Sequence, residues 1–297
     1  MLHDVSRSIL LKALAATTLW GASFIATKLA LRDITPLAVI VLRFGLGVAV
    51  MLGLLAWRRE ARVAGRGDLA WLALLGLNGI TVHQLLQSTG LLTTTATNSG
   101  WIVALIPIFT AVLARVMLHE AFGRQKVLGL LVAAFGAALI VSRGHLSSQV
   151  FRHATLGDGL VLLSAANWAL FTTLSKRVMG RYRPAVMMAH VMAFGWLLSL
   201  PLFAVEGSWH QVPRMSAAGW SAILFLGIGC SGLAYAFWYD ALAHTEASSL
   251  ASFQYFQPVV TVAVAAAVLG EPVTWAVAAG GAAILVGVWL VNRKAGG

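Results

Sequence analysis

Charge is scarce in this chain. Asp, Glu, Lys and Arg make up 10% of its 297 residues, where a soluble domain needs about 25% to cover its surface. That shortage excludes an ordinary water-facing enzyme or binding domain. A single cysteine, Cys230, excludes an intramolecular disulfide and leaves the redox compartment open. Cys230 and His83 stand apart from each other and from any carboxylate, so neither a metal nor another cofactor is expected. Regular alternation of apolar and polar residues is also missing, which excludes a transmembrane β-barrel. All ten acidic residues (Asp4, Asp33, Glu60, Asp68, Glu120, Asp158, Glu206, Asp240, Glu246 and Glu271) fall in loops or at the ends of apolar stretches.

Apolar residues are abundant, at 59%. A bilayer core of ~30 Å asks for about 20 apolar residues per helix, and ten such stretches are expected: 9–31, 37–57, 69–91, 97–118, 125–142, 157–178, 185–205, 217–242, 247–269 and 273–292. The first is too long for a signal peptide and has no small-residue cleavage site. The formal charge of +11 would mark a nucleic-acid footprint in a soluble protein. Here it sorts by loop. With the N-terminus in the cytoplasm, fifteen basic residues fall inside, five outside and Arg43 within a span. This is the positive-inside pattern; it predicts two cytoplasmic termini in an inner (plasma) membrane and no nucleic-acid partner.

The chain also repeats itself. Trp20, Lys28 and Pro36 recur as Trp168, Lys176 and Pro184, 148 residues on. Pro107 and Glu120 recur as Pro258 and Glu271, 151 residues on. Five spans per copy force the copies to insert in opposite orientations, as in transporters built from inverted repeats. The expected fold is an all-α membrane protein of ten transmembrane helices in two inverted five-helix repeats, 1–142 and 157–297. An external linker, 143–156, joins them.

The mid-span prolines with their trailing glutamates, each followed by a Gly/Ala-rich span (Gly129, Ala133, Gly136; Gly280, Gly281, Gly287), resemble the drug/metabolite transporter superfamily, in its ten-span branch with two EamA-type repeats. Length and an aromatic-rich interior make the chain most similar to the aromatic amino-acid exporters. The resemblance covers nearly the whole chain and implies a fold. It implies a cargo more weakly, because one scaffold serves many functions.

Polar side chains are costly in hydrocarbon, so their clustering is informative. His83, Gln84, Gln87 and Ser88 form a patch in the third span; at the offset of 151, Gln84, Gln87 and Ser88 correspond to Tyr235, Trp238 and Tyr239 in the eighth. Asn98 and Trp101 in the fourth span, Gln254 and Gln257 in the ninth, Trp20 in the first and Asn167–Trp168 in the sixth complete the candidate substrate site. Amides and hydroxyls suit the polar ends of a small zwitterion, and aromatic faces suit an apolar side chain or an ammonium group. The competing reading is interhelical glue. Pro107 and Pro258 should bend their helices, as static kinks or as hinges. Lys28 and Lys176 read either as gates on opposite faces or as snorkelling anchors. Arg43 reads as snorkelling to the outer headgroups. Trp57, Trp71, Trp209, Trp220 and Trp275 read as interfacial anchors. Gly129, Ala133 and Ala137 permit close helix contact, within a monomer or across a homodimer.

The function expected is export of small metabolites by alternating access, most of all amino acids including aromatic ones, with weak or no proton coupling. The alternatives are a drug or organic-cation exporter of the same superfamily, which would favour a buried carboxylate, and a membrane-embedded enzyme, which would need a reactive cluster in the bundle.

Overall fold

A computed structural model describes residues 7–59, 65–94, 96–120, 123–141, 155–269 and 275–292. Residues 143–154 of the linker, and Glu271, lie outside these residues. The described residues form helices in chain order: α1 (Arg7–Ala30), α2 (Pro36–Trp57), α3 (66–93), α4 (Ala96–Val103 and Ile106–Met117), α5 (Arg124–Val141), α6 (Leu156–Val178), α7 (Pro184–Glu206), α8 (217–243), α9 (247–269) and α10 (Trp275–Asn292).

Local chemistry marks their ends. The Thr35 hydroxyl accepts from Ala38 N at the start of α2, with Pro36 in the first turn, where its missing donor costs nothing. A capping box opens α6: Thr155 Oγ1 accepts from Asp158 N at 3.2 Å, and Asp158 Oδ2 from Thr155 N at 2.7 Å. Ser216 caps α8 through Gly219 N. Its own N–H and hydroxyl donate to Asp33, which holds that carboxyl below the usual range. Gly207 ends α7 at φ 73°, a left-handed conformation that glycine adopts without strain.

Two features repeat that residue patterning did not reveal. Both α3 and α8 widen into a π-helical segment at mid-length, Leu77–Val82 and Phe225–Leu233. Such turns often sit beside functional sites. In addition, α4 is broken at 104–105, with Pro107 in the first turn of its second piece. The counterpart α9 passes through a 3-10 segment, Ser252–Tyr255, just before Pro258. Each proline therefore follows a break instead of bending a continuous helix.

Among the described residues, five helices are long and apolar enough to cross a membrane by themselves: α1, α2, α3, α7 and α8. Shorter apolar helices lie at Ile106–Met117 and 278–291. The sequence expectation of ten comparable spans is therefore met unevenly. Helix α6 carries buried Ser164, Thr172, Thr173 and Ser175 because it packs inside the bundle, against α3 and α4. Its outer face keeps exposed Leu162 and Leu163, while the face buried in the bundle does not need to be apolar.

The packing is reciprocal. Helix α1 packs on α8 and α9, while α6 packs on α3 and α4; α2 meets α8, while α7 meets α3; α2 pairs with α7 and α5 with α10. Exchanging the halves maps each contact onto another. Each repeat thus lends its first helix to the other, and α1 and α6 meet at the centre, where Trp20 and Trp168 touch edge to face at 5.2 Å. The small-residue stripe of α5 is used within the chain. An added Cβ on Gly129 would stand 2.8 Å from Gly287 O, and one on Gly136 2.6 Å from Gly280 O. The side chain of Ala137 lies outside the described residues.

Candidate functional site

At this junction lies a cavity of about 40 Å³, room for little more than one water. Its lining is partly aromatic: Trp20 and Phe24 from α1, Trp168 from α6 and Tyr235 from α8. The rest is mostly polar: Ser23 from α1, Arg43 from α2, His83, Gln84 and Gln87 from α3, and Gln254 and Gln257 from α9, with His83 against the Trp168 ring at 5.0 Å. Val103 and Ile106 close the side at the break in α4.

Eight residues expected from sequence thus come together: Trp20, His83, Gln84, Gln87, Trp168, Tyr235, Gln254 and Gln257. Trp238 and Tyr239 stand one layer behind, fully buried. Trp238 lies 5.2 Å from Trp20, and Tyr239 stacks on Tyr235 at 6.1 Å. Asn167 does not line the cavity; its side-chain amide donates to Asn78 O at 2.8 Å, which is the interhelical tie of the competing reading. The side chains of Asn98 and Trp101 lie outside the described residues.

The lining is held from behind. Trp20 Nε1 donates to the carbonyl of Cys230, inside the π-helical segment of α8, at 3.0 Å. His83 Nδ1 lies 3.0 Å from Ser164 O on α6. A carbonyl only accepts, so Nδ1 carries the proton. Gln254 is buried, and its Oε1 has no hydrogen-bond partner, so an acceptor stands available at the cavity. Arg43 corrects the sequence expectation: instead of reaching outward it is 3% exposed. Its Nε donates to Ser231 Oγ at 2.9 Å and its Nη1 to Gln84 Oε1 at 3.1 Å.

The comparisons with known proteins agree with this architecture. The model of the EamA-like transporter family matches twice, over 7–142 and 155–293. The chain belongs to that family. An uncharacterized transporter of Archaeoglobus fulgidus is 30% identical over 97% of this chain and 98% of its own length. A probable terminal-alkyne amino-acid exporter of Streptantibioticus cattleyicolor is 28% identical over 76% of this chain and 74% of its own. A crystal structure at 18% identity superposes with a TM-score of 0.76, covering 97% of this chain and 98% of the other, which supports the fold. Family and relatives are transporters, so this is a multi-pass membrane transporter.

Within the two EamA repeats, the matched lysines hold matched positions. Lys28 Nζ donates to Thr94 O, after α3, at 2.7 Å. Lys176 Nζ donates to the carbonyls of Leu242 and Thr245, at the end of α8. Thr94 and Thr245 are 151 residues apart. A cation at a helix C-terminus meets unsatisfied carbonyls and the negative end of the dipole. Both ties are closed in the same structure. They sit at repeat-related helix ends.

Glu120 explains half of the proline–glutamate pattern. Its carboxylate accepts from Ala247 N at 2.8 Å and from Ser248 N at 3.4 Å, capping α9, a helix of the other repeat. Lys126 Nζ stands 3.6 Å from it and bonds Glu246 at 2.6 Å. Glu120→Ala should cost about 1–2 kcal/mol, the value of a lost cap, and Glu120→Gln less. Thermal unfolding in detergent checks this; equal melting temperatures for wild type and Glu120→Ala would remove the cap from the account.

Among the interfacial anchors, Trp57, Trp209, Trp220 and Trp275 are exposed. Trp71 differs: it packs against the core and its indole N–H is buried without a partner.

Proposed function

We propose that this protein exports small metabolites, most of all amino acids including aromatic ones with broad specificity, across the inner (plasma) membrane by alternating access. The observation that carries the proposal is the mixed lining of the central cavity. Aromatic rings from both repeats and amides from both repeats share it, at the junction where α1 and α6 exchange between halves. Apolar area with a few oriented polar groups is what a small amphiphilic cargo requires. The exporter from Streptantibioticus, whose name carries an amino acid, supports the same class.

On this reading all ten helices cross the bilayer, in two five-helix repeats related by an axis in the membrane plane, with both termini cytoplasmic. The ties of Lys28 and Lys176 then lie at opposite faces, where each would act as a gate. A cavity of about 40 Å³ must widen to admit an amino acid. The irregular turns before Pro107 and Pro258 are where half-helices would swing, since the regular α-helical hydrogen-bond pattern changes there and each proline lacks a donor.

Coupling to protons is weak or absent on this account. No described carboxylate lines the cavity, and His83 is engaged with Ser164 O. The same lack of a carboxylate argues against a drug or organic-cation exporter. The test is uptake of labelled phenylalanine, tryptophan and leucine into proteoliposomes, with and without a pH gradient. Saturable uptake at both settings is expected; flat signals for all three would overturn the amino-acid reading, and uptake only with the gradient would overturn the coupling.

A further inference from the structure

Arg43 presents a charge that the fold does not balance. Among the described residues no carboxylate lies within ion-pair distance of it, and its hydrogen-bond acceptors, Ser231 and Gln84, are neutral. A guanidinium has five N–H donors. The two bonds shown use one on Nε and one on Nη1, which leaves three, including both on Nη2. The side chain is almost fully buried, yet it lines the cavity. Contact with the Phe44 ring, 5.1 Å from Cζ to centroid, offsets part of the desolvation and supplies no counter-charge.

The repeat sharpens the point. At the offset of 148 the counterpart of Arg43 is Val191, and at 151 those of Gln84 and Ser231 are Tyr235 and Ile80. The equivalent group in the other half is thus apolar and aromatic, and it is buried. Helix packing at this position therefore works without a cation. A buried cation without a partner is costly, and a site of that kind is stabilised by an anion brought from outside.

We infer that Arg43 is the anchor for a carboxylate on the cargo, so that the cavity accepts small carboxylates, anionic or zwitterionic, and rejects amines that lack one. The carboxylate takes the remaining guanidinium N–H groups, and the apolar part of the cargo lies against Trp20, Trp168 and Tyr235. An ammonium group, where the cargo has one, meets the open acceptor of Gln254 Oε1. This rests on the reading that the central cavity is the cargo site, and it holds whether or not amino acids are the cargo.

The test uses the full chain in detergent and three probes with a common ring: L-phenylalanine, 3-phenylpropionate, which lacks the amine, and phenethylamine, which lacks the carboxylate. Binding is read by calorimetry. Wild type should bind both carboxylates at least about tenfold more tightly than the amine, as expected when one member of a buried charge pair is missing. Arg43→Gln should lose that preference, and Arg43→Lys should keep part of it. Equal affinity of wild type for 3-phenylpropionate and phenethylamine, or binding of none of the three, overturns the anchor. So does a folded Arg43→Gln protein with the wild-type preference. The wild-type comparison decides alone if Arg43→Gln fails to fold. Arg43-dependent binding of 3-phenylpropionate without phenylalanine transport keeps the anchor and removes the amino-acid reading.

Discussion

Trp20→Ala is expected to remove transport of aromatic cargo and to lower stability by about 3–5 kcal/mol, the range for deleting a buried aromatic side chain. Trp20 is 8% exposed and holds three rings together: Trp168 at 5.2 Å, Tyr235 at 5.5 Å and Trp238 at 5.2 Å between centroids. Alanine would open a void where both repeats meet. It would also leave the carbonyl of Cys230 without the indole donor, in a dry interior where that loss is expensive. Trp20→Phe separates the two effects. It keeps a ring against Trp168 while losing the hydrogen bond and part of the indole volume, for about 1–3 kcal/mol, so the protein should stay folded and transport with reduced affinity. Thermal unfolding and initial uptake rates on both variants check this. Full transport by a well-folded Trp20→Ala protein would mean that cargo does not pass this cluster.

Gly136→Leu should have the second large effect. The close pairing of α5 with α10 depends on glycine at the contact, because an added Cβ on Gly136 would stand 2.6 Å from Gly280 O and 2.9 Å from Ile284 N. Backbone atoms cannot step aside as side chains do, so the helices would have to separate. Overpacking of this severity costs about 3 kcal/mol or more, and in lipid close backbone approach is the main source of helix association. An internal control exists: Gly281, one residue from Gly280, has nothing within 4 Å of its added Cβ. Gly281→Leu should purify and melt like wild type while Gly136→Leu aggregates. Equal behaviour of the two would show that the α5–α10 contact contributes little.

Much of this was legible in the sequence, for a physical reason. The repeat carries paired positions, and hydropathy reports what faces lipid, so the helical architecture and the division into halves could be read from spacing alone. The polar third span and aromatic eighth span could be matched at a constant offset, and together they supplied Gln84, Gln87 and Tyr235 of the cavity. What escaped were features set by three-dimensional packing. The π-helical segments at Leu77–Val82 and Phe225–Leu233 leave no mark in residue type. Asn167 and Gln84 look alike in a span and each bonds a second helix, yet only Gln84 lines the cavity. Arg43 was misread because its distance from the span end allowed snorkelling. The signal that could have corrected it was its pairing with Val191: a lone cation in one repeat and an apolar residue in the other.

The central claim is that one cavity faces the two sides of the membrane in turn. Native Cys230 is fully buried and can be replaced by alanine to give a cysteine-free chain. Ser23, a cavity residue on α1, then becomes the only thiol through Ser23→Cys, a near-isosteric change. Labelling it in proteoliposomes with a membrane-impermeant maleimide, applied to one face and then to the other, tests the claim most directly. Reaction from both faces, slowed from both by saturating L-phenylalanine, is the predicted result. Reaction from one face only, with no protection by cargo, would contradict alternating access through this site.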